Sequence, residues 1–278
     1  MATGETSTHD LEPALQAQTR GDTACLIYTS GTGGNPKGVM LSHAAVMSNC
    51  MGARELLRQL GLGDEVFLSF LPLSHAYEHT AGLYFPISIK AQIYFAESVE
   101  TLSANLVEVR PTIMVSVPRL YEVMHRRITL GLKRQSKIKQ HLFAKAVALG
   151  RKHYENPGSL GLVQGALNRV LEGVVRDKVR ARFGGRLKAM VSGGAPLNFE
   201  VGVFFTALGV RLLQGYGQTE AAPVISCNPP NLVKLHTVGP PFEGVEVKIA
   251  EDGEILARGE LVMNGYWNDD ASTRGVLK

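Results

Sequence analysis

The sequence predicts an α/β fold with a mostly parallel sheet that carries helices on both faces, followed by a small β-rich subdomain. Short apolar runs alternate with helical patterns between residues 22 and 224, which is typical of parallel strands joined by crossover helices. From about Val224 the pattern changes to short β-like pieces separated by turns. We therefore expect a polar lead-in at 1–21, an α/β core at 22–224 and a truncated β-rich subdomain at 225–278.

The strands of the predicted core are short and apolar. They lie at residues 24–28, 66–71, 91–96, 112–117, 187–192 and 210–214. Ser42, Ser98 and Asn198 each precede a helical pattern, and their side-chain oxygens can cap a helix by accepting hydrogen bonds from its first N–H groups. The helix after Ser42 has an apolar stripe at Val46, Cys50, Ala53, Leu57 and Leu60. The first strand, the Gly-rich segment after it and this helix form a predicted strand, loop, helix unit.

The predicted subdomain consists of β-like pieces. They lie at residues 245–249, 254–257 and 260–263. Asp252-Gly253 stands between the first two pieces and predicts a hairpin turn, because this dipeptide readily adopts the positive φ angles of a two-residue hairpin loop.

Composition limits the class of protein. With 278 residues, 45% of them hydrophobic, the chain can bury a sizeable core. Three cysteines, Cys25, Cys50 and Cys227, are far apart and odd in number, which favours reduced thiols over a disulfide framework. No apolar run reaches the roughly 18 residues of a membrane span, and the first residues lack the apolar core of a signal peptide. We expect a cytoplasmic protein.

The net charge of +4 conceals a basic segment. Residues 119–188 contain 17 Lys or Arg against 4 Asp or Glu. We favour an ordinary interpretation of this basic helical block, at about 119–186, as the solvated side of helices packed on a core. The alternative is contact with an anionic membrane surface, at about 1 kcal/mol per basic residue. We expect no nucleic-acid partner, because no recognition motif accompanies the charge.

The segment Tyr28–Gly38 is the predicted phosphate-binding loop. Its glycines let backbone N–H groups approach an anion, and Lys37 can add a positive charge. It is not a Walker A loop, because Pro36 and Gly38 flank the lysine. The alternative is a Gly-rich turn without function. Polar clusters at 72–75, 193–196 and 215–220 also follow predicted strands, and we expect them to converge with this loop at the carboxyl ends of the strands.

Five segments in this order resemble the adenylate-forming superfamily, which includes acyl-CoA synthetases, firefly luciferase and the adenylation domains of peptide synthetases. They are Tyr-Thr-Ser-Gly-Thr-Gly-Gly-Asn-Pro-Lys-Gly at 28–38, Leu-Pro-Leu-Ser-His at 71–75, Gly-Gly-Ala-Pro-Leu at 193–197, Gly-Tyr-Gly-Gln-Thr-Glu at 215–220 and Gly-Glu-Leu-Val-Met-Asn-Gly-Tyr at 259–266. The resemblance covers roughly residues 22–270. The long basic helical block after Val117-Pro118-Arg119 looks like that of the long-chain fatty acid–CoA ligases.

The resemblance implies a two-step reaction. A fatty acid carboxylate attacks the α-phosphate of ATP, which gives an acyl-adenylate and pyrophosphate, and the thiol of coenzyme A then displaces AMP. Such chemistry depends on positioning and on charge neutralisation. It also implies Mg²⁺, with Glu220 as the metal ligand and Lys37, Thr219 and Glu220 as the catalytic set.

The resemblance also implies the ligand contacts. For ATP or AMP they are Thr29, Ser30, Gly31, Thr32, Gly33, Gly34, Lys37, Gly193, Gly194, Ala195, Gly215, Tyr216, Gly217 and Thr219. Tyr216 would stack on the adenine, and His75 would help to position the carboxylate substrate. We leave His79 out of the site, and we expect packing roles for Arg258–Tyr266.

The sequence departs from the family pattern in three places. Gly33 stands where the family commonly has a hydroxyl residue, so one phosphate contact is expected to be missing. The ribose-binding Asp motif and the mobile C-terminal domain with its lysine are not found in this sequence. We expect this chain to be a fragment of a larger ligase and to be inactive alone.

Two alternatives to a CoA ligase remain. One is a non-catalytic nucleotide-binding, acyl-binding or scaffolding protein with the same fold, which would have no physical need to keep Lys37, Thr219 and Glu220. The other is a fatty acyl-AMP ligase that passes the acyl group to a carrier protein. Acyl chain length and oligomeric state are not predicted.

Overall fold

A computed structural model describes residues 12–29 and 35–277 of the chain. The α-helices are α1 (Glu12–Ala17), α2 (His43–Leu57), α3 (Phe85–Ser88), α4 (Leu102–Val109), α5 (Pro118–Lys133), α6 (Lys137–Glu155), α7 (Leu162–Leu171), α8 (Asp177–Arg182), α9 (Phe199–Ala207) and α10 (Asp270–Val276). Two π-helices, Glu78–Tyr84 and Glu172–Arg176, continue into α3 and α8. None of the helices described is long and apolar enough to cross a membrane.

The strands form three sheets. They are β1 (Thr23–Thr29), β2 (Lys37–Ser42), β3 (Val66–Ser69), β4 (Gln92–Phe95), β5 (Ile113–Ser116), β6 (Ala189–Ser192), β7 (Leu212–Gly217), β8 (Val224–Cys227), β9 (Glu246–Ile249), β10 (Ile255–Arg258) and β11 (Gly265–Tyr266). The largest sheet has the order β4-β3-β5-β6-β7-β8, and only β8 runs antiparallel to its neighbour. All four residues of β3 and of β5 are buried, as expected for central parallel strands. The mostly parallel α/β fold is confirmed.

The Gly-rich segment joins two strands of an antiparallel hairpin, and here the expected strand, loop, helix unit is wrong. Thr29 of β1 pairs with Lys37 of β2, and α2 starts only after β2. On its other side β2 pairs with β11, with Tyr266 opposite Val39. The three apolar residues of β2 were too few for a periodic signal, so the strand escaped prediction.

Two of the three predicted helix caps are confirmed. Ser42 Oγ accepts a hydrogen bond from the Ala45 N–H at 3.0 Å, and Asn198 Oδ1 accepts one from the Val201 N–H at 3.2 Å. Ser98 does not begin a helix. Its hydroxyl accepts a hydrogen bond from the Thr101 N–H within a turn, and α4 begins only at Leu102.

The C-terminal part confirms one hairpin and corrects one strand. β9 and β10 pair antiparallel across the turn at Asp252-Gly253, where Gly253 has φ +88°. Residues 260–263 form a turn and not the expected strand, because the chain folds back between Gly259 and Gly265, which have φ angles of +157° and +137°. The short strand β11 follows this turn.

One hydrophobic core cluster joins both parts of the chain. Phe242, Met263 and Tyr266 belong to the same buried cluster as Val39 and Leu41. The strand β8 also extends the main sheet. The division at residue 224 stays a prediction from the sequence pattern. The three cysteines are free.

Candidate functional site

A cavity of about 940 Å³ opens where the carboxyl ends of β6 and β7 meet the β1–β2 hairpin. It is lined by Thr29, Asn35, Pro36, Lys37, His75, Ala76, Tyr77, Val191, Gly193, Gly194, Gly215, Tyr216, Gly217, Gln218, Thr219, Glu220, Pro223, Val224, Tyr266 and Asp269. The four polar segments expected to converge all contribute to it. The volume is suited to a small-molecule ligand.

Most of the candidate residues from the sequence line this cavity. The described ones that do so are Thr29, Lys37, His75, Gly193, Gly194, Gly215, Tyr216, Gly217, Thr219 and Glu220. Ala195 is exposed on the loop after β6 and is not a lining residue. Ser30, Gly31, Thr32, Gly33 and Gly34 lie outside the described residues.

Close backbone contacts explain two of the glycines. A Cβ atom at Gly217 would lie 1.9 Å from the carbonyl oxygen of Pro223, where no side chain fits. A Cβ at Gly193 would lie 3.0 Å from Cζ of Tyr77. The cavity wall at the ends of β6 and β7 is therefore bare backbone, which a flat ligand can approach closely.

Tyr77 is a wall residue that sequence reasoning missed. Its side chain is buried, and its hydroxyl donates a hydrogen bond to the Val191 carbonyl at 2.9 Å, which ties the segment after β3 to β6. Burial raises the pKa of this phenol well above its usual value, so it stays a donor at neutral pH. Its position two residues after His75 was the only available signal.

His75 lies at the cavity edge with one ring nitrogen engaged. Its Nδ1 accepts a hydrogen bond from the Tyr77 N–H at 3.2 Å. This bond requires an unprotonated Nδ1, so the neutral ring carries its proton on Nε2. His79 packs edge-on against Tyr84 and is not among the residues that line the cavity, and its exclusion from the site stays a prediction.

Lys37, Tyr266 and Glu220 form the charged part of the cavity. The Nζ of Lys37 lies 4.8 Å from the centroid of the Tyr266 ring, and the Tyr266 hydroxyl donates a hydrogen bond to Glu220 Oε1 at 2.8 Å. Asp269 also lines the cavity. A hydrogen bond from the Ser272 backbone N–H lowers the pKa of the Asp269 carboxyl, and the charge of Lys37 makes a smaller contribution in the same direction. From the sequence we expect only a packing role for Tyr266, but its side chain also lines the cavity.

The donor set fits one kind of metal ion. In the part of the chain that the structure describes, no group of three or more His, Cys, Asp or Glu side chains could hold an ion by itself. Glu220 offers one carboxylate, and Thr219 beside it offers a hydroxyl. Mg²⁺ is commonly held by one or two carboxylates together with the phosphates of a substrate and water, so these residues fit Mg²⁺ delivered with a nucleotide.

Glu78 is a second ionisable group that the sequence did not single out. It is fully buried in the π-helix, and its carboxyl group fills the space above Gly82, where a Cβ would lie 2.5 Å from it. Neither oxygen has a hydrogen bond of ordinary geometry. Burial disfavours the charged form and raises the pKa of Glu78 to about 7, because the nearby Ser69 hydroxyl and Phe70 N–H offset only part of this effect.

The fold and the cavity define a class of protein. The sheet is of the open α/β type, and its cavity lies at the carboxyl ends of the strands. The cavity combines bare glycine backbone with one lysine, Lys37, and two carboxylates, Glu220 and Asp269. These are the elements of a site for a phosphate-bearing ligand with a flat ring.

Comparison with protein families identifies the class more closely. A sequence model of the family described as AMP-binding enzyme matches residues 2–267. The chain belongs to this family.

Curated relatives include long-chain fatty acid ligases. The chain is 34% identical over 264 residues to long-chain-fatty-acid–CoA ligase FadD15 of Mycobacterium bovis, which covers 95% of this chain and 44% of the relative. It is 32% identical over 275 residues to the peroxisomal long chain acyl-CoA synthetase 6 of Arabidopsis thaliana, with 92% and 37% covered. The chain thus spans less than half the length of these relatives.

Solved structures share the fold. The chain superposes on o-succinylbenzoate CoA synthetase of Bacillus subtilis in complex with its acyl-adenylate intermediate with a TM-score of 0.66 at 19% identity, over 94% of this chain and 45% of the other. For ATP-bound MatB of Rhodopseudomonas palustris the TM-score is 0.64 at 22% identity, over 93% and 44%. Both are evidence for the fold alone.

Proposed function

We propose that this chain forms the nucleotide- and acyl-binding core of an AMP-forming long-chain fatty acid–CoA ligase. The observation that carries the proposal is that Lys37 and the adjacent pair Thr219 and Glu220, which are far apart in the sequence, line one cavity beside a wall of bare glycine backbone. Long-chain fatty acid ligases among the relatives support the substrate class. ATP, Mg²⁺, coenzyme A and a fatty acid are the proposed ligands.

Each side of the cavity has a proposed part in the first half-reaction. The backbone at Gly193 and Gly194 receives the adenine, with Tyr216 stacked on it, and Lys37 and Thr219 hold the phosphates. The carboxylate oxygen of the acid forms a bond to the α-phosphorus while the bond to the bridging oxygen of pyrophosphate breaks. Lys37 neutralises the charge that leaves with the pyrophosphate. Mg²⁺, held by Glu220, would supply further neutralisation.

The second half-reaction transfers the acyl group. The thiolate of coenzyme A attacks the acyl carbon of the adenylate, the carbon–oxygen bond to the phosphate breaks, and AMP leaves.

His75, at the edge of the cavity, has its proposed part before the first half-reaction, when it can hold the substrate carboxylate through its Nε2–H.

Binding of an acyl-adenylate mimic tests this proposal without requiring turnover. Acyl sulfamoyl adenosines with alkyl chains of graded length are titrated into the 278-residue chain by calorimetry. We expect affinity for the mimic to increase with chain length into the long-chain range. In a parallel titration with ATP, which carries the phosphates that the mimic lacks, we expect Lys37→Ala to bind at least tenfold more weakly, because a hydrogen bond to a charged group contributes about 1.5–3 kcal/mol. Preference for an aminoacyl or aryl analogue would overturn the substrate class.

The two alternatives give different results. A scaffolding protein without a ligand predicts no binding of any mimic. A non-catalytic nucleotide- or acyl-binding protein predicts binding of the mimic but no pyrophosphate exchange by the full-length protein. A fatty acyl-AMP ligase that serves a carrier protein predicts the same binding of the mimic, but no competition between coenzyme A and a carrier protein for the bound adenylate.

A membrane contact is a second proposal, and it belongs to a basic segment, residues 126–139, that comprises the end of α5, the start of α6 and the turn between them. Residues 126–139 contain six basic residues and no acidic one, and Leu130 and Ile138 among them are exposed. Within the described chain, ion pairs engage no residue of this basic segment, although they engage Arg119, Arg151, Arg176, Arg180 and Lys188 of the larger basic block. Basic and apolar side chains together are suited to the surface of an anionic membrane.

Flotation with liposomes tests the membrane proposal. We expect recovery with phosphatidylserine-containing vesicles and little with neutral ones, and a loss in the triple variant Lys133→Gln, Lys137→Gln, Lys139→Gln. The matched control is Lys90→Gln, Lys234→Gln, Lys248→Gln, which removes the same charge from exposed positions elsewhere. Equal recovery with both kinds of vesicle would contradict the proposal.

A further inference from the structure

Tyr266 stands between Lys37 and Glu220, two of the charged groups that line the cavity beside Asp269. The face of its ring contacts the Lys37 ammonium group, with 4.8 Å from Nζ to the ring centroid, while its hydroxyl bonds to Glu220 Oε1 at 2.8 Å. Neither Lys37 nor Glu220 takes part in any ion pair of the described chain. Two opposite charges that line one cavity are thus held apart by a phenol.

Without a spacer these charges would attract each other. Lysine is a flexible point charge that readily turns toward a nearby carboxylate, and the attraction between opposite charges is stronger in a partly buried cavity than in bulk water. A Lys37–Glu220 ion pair would occupy the groups that a phosphate and a metal ion need. The ring face and the hydroxyl of Tyr266 give each group a partner that a stronger ligand can replace or share.

The backbone around Tyr266 holds this spacer in place. The Tyr266 N–H donates to Thr273 Oγ1 at 2.9 Å, the Trp267 N–H donates to the Gly38 carbonyl at 2.7 Å, and Tyr266 pairs with Val39 across the sheet. The residue is only 6% exposed. Its position is therefore fixed by β11 before any ligand arrives.

We propose that Tyr266 is a positioning residue that prevents Lys37 and Glu220 from pairing with each other, so that the lysine is available to phosphate and a Glu220 oxygen is available to Mg²⁺. The identity of the two ligands rests on the proposed function, whereas the separation of the two charges rests on the contacts of Tyr266. The hydroxyl orients Glu220, and the ring retains Lys37.

Two substitutions separate these contributions. Tyr266→Phe keeps the ring and loses the hydroxyl, and Tyr266→Leu loses both. By calorimetry we expect Tyr266→Phe to bind ATP about tenfold more weakly in Mg²⁺ and within twofold of wild type in EDTA. Tyr266→Leu is expected to bind about tenfold more weakly in both conditions. Tyr84→Phe, which alters a tyrosine outside the cavity, is the matched control and is expected to match wild type.

A double variant tests the pairing itself. In Tyr266→Leu, Lys37 is expected to be captured by Glu220, so adding Glu220→Gln should restore ATP binding in EDTA to within a few-fold of wild type. A merely structural role of Tyr266 predicts no such rescue. If Tyr266→Phe binds MgATP as wild type does, or if the double variant binds no better than Tyr266→Leu, the proposal is wrong.

A measurement without nucleotide separates this proposal from the proposed function. Lysines are reductively methylated with ¹³C-formaldehyde, and the Lys37 resonance is assigned by its absence in Lys37→Arg. The ring current should shift this resonance upfield in wild type and in Tyr266→Phe and leave it unshifted in Tyr266→Leu. An unshifted resonance in wild type would overturn the positioning role. A shifted resonance in a chain that binds no ATP would support the separation of charges and refute the proposed function alone.

Discussion

At the scale of single residues, the buried carboxyl of Glu78 makes the stability of the protein depend on pH. Its ionisation places a negative charge in an environment that offers neither oxygen a hydrogen bond of ordinary geometry. The folded protein therefore holds a proton that the unfolded chain releases at lower pH. Glu78 follows Tyr77 in the chain, so this protonated carboxyl group lies next to a residue of the cavity wall.

We predict that the stability of the protein falls as the pH rises from about 4.5 to 7. The pKa of Glu78 is raised from its ordinary value of 4.5 to about 7, so the folded state binds more protons than the unfolded state across this window. At full ionisation the difference corresponds to about 3 kcal/mol. Urea unfolding at pH 5 and pH 8 measures the effect. In Glu78→Gln the fall in the free energy of unfolding between these pH values should be absent, and at pH 8 this variant should be about 1–2 kcal/mol more stable than wild type.

The control for this prediction is Glu251→Gln, which changes an exposed carboxylate. It should keep the pH dependence of wild type. A Glu78→Gln protein that loses stability between pH 5 and pH 8 as steeply as wild type would show that another group is responsible.

At the scale of elements, the three-stranded sheet β1-β2-β11 positions the charged part of the cavity. Its outer strand β11 is only two residues long, and side-chain bonds from α10 support it. Thr273 Oγ1 accepts a hydrogen bond from the Tyr266 N–H at 2.9 Å and donates one to the Asp269 carbonyl at 2.8 Å. The placement of Tyr266 thus depends on one hydroxyl in the last described helix.

We predict that Thr273→Val lowers the free energy of unfolding by about 1–3 kcal/mol, because the partly buried N–H of Tyr266 loses its acceptor. Thr273→Ser, which keeps the hydroxyl, should cost less than about 1 kcal/mol. Denaturant melts measure both values. Equal stability of the two variants would mean that the hydroxyl does not support β11.

Sequence reasoning succeeded at this scale where the signal is local. The caps at Ser42 and Asn198 depend on residues three positions apart, and the hairpin at Asp252-Gly253 depends on adjacent residues. It failed for β2, because a strand of six residues after a Gly-rich segment has no periodicity of its own. It also failed for the role of Tyr266, whose partners Lys37 and Glu220 are far away in the sequence.

At the scale of the whole molecule, the cavity lies between two sheets that share one hydrophobic core. Its walls come from the main parallel sheet and from the smaller sheet of β1, β2 and β11. The convergence of the strand-end segments could be predicted, because the carboxyl ends of parallel strands share one edge. The buried position of Glu78 could not, since nothing in its local sequence indicates where the π-helix packs.

We predict that MgATP stabilises the whole chain against heat. A ligand that contacts both sheets and binds only the folded state adds about 2.7 kcal/mol at a concentration 100 times its Kd. For a chain of this size that corresponds to a rise in Tm of roughly 5–10 °C. Differential scanning calorimetry measures the rise, which at the same MgATP concentration should fall to about half or less in Lys37→Ala. An unchanged Tm at saturating MgATP would contradict the location of the site between the sheets.

The pairing of β2 has a consequence for insertions and deletions. Lys37 has the same parity along the strand as Val39 and Leu41, whose side chains are fully buried, so the face that fills the core continues at its end into the cavity. A shift by one residue would turn Lys37 to the opposite face together with every apolar side chain of the strand. Changes of length before Lys37 leave this parity intact. A single-residue deletion between Lys37 and Leu41 would put these two side chains on opposite faces of the strand, so that either the core or the cation in the cavity is lost.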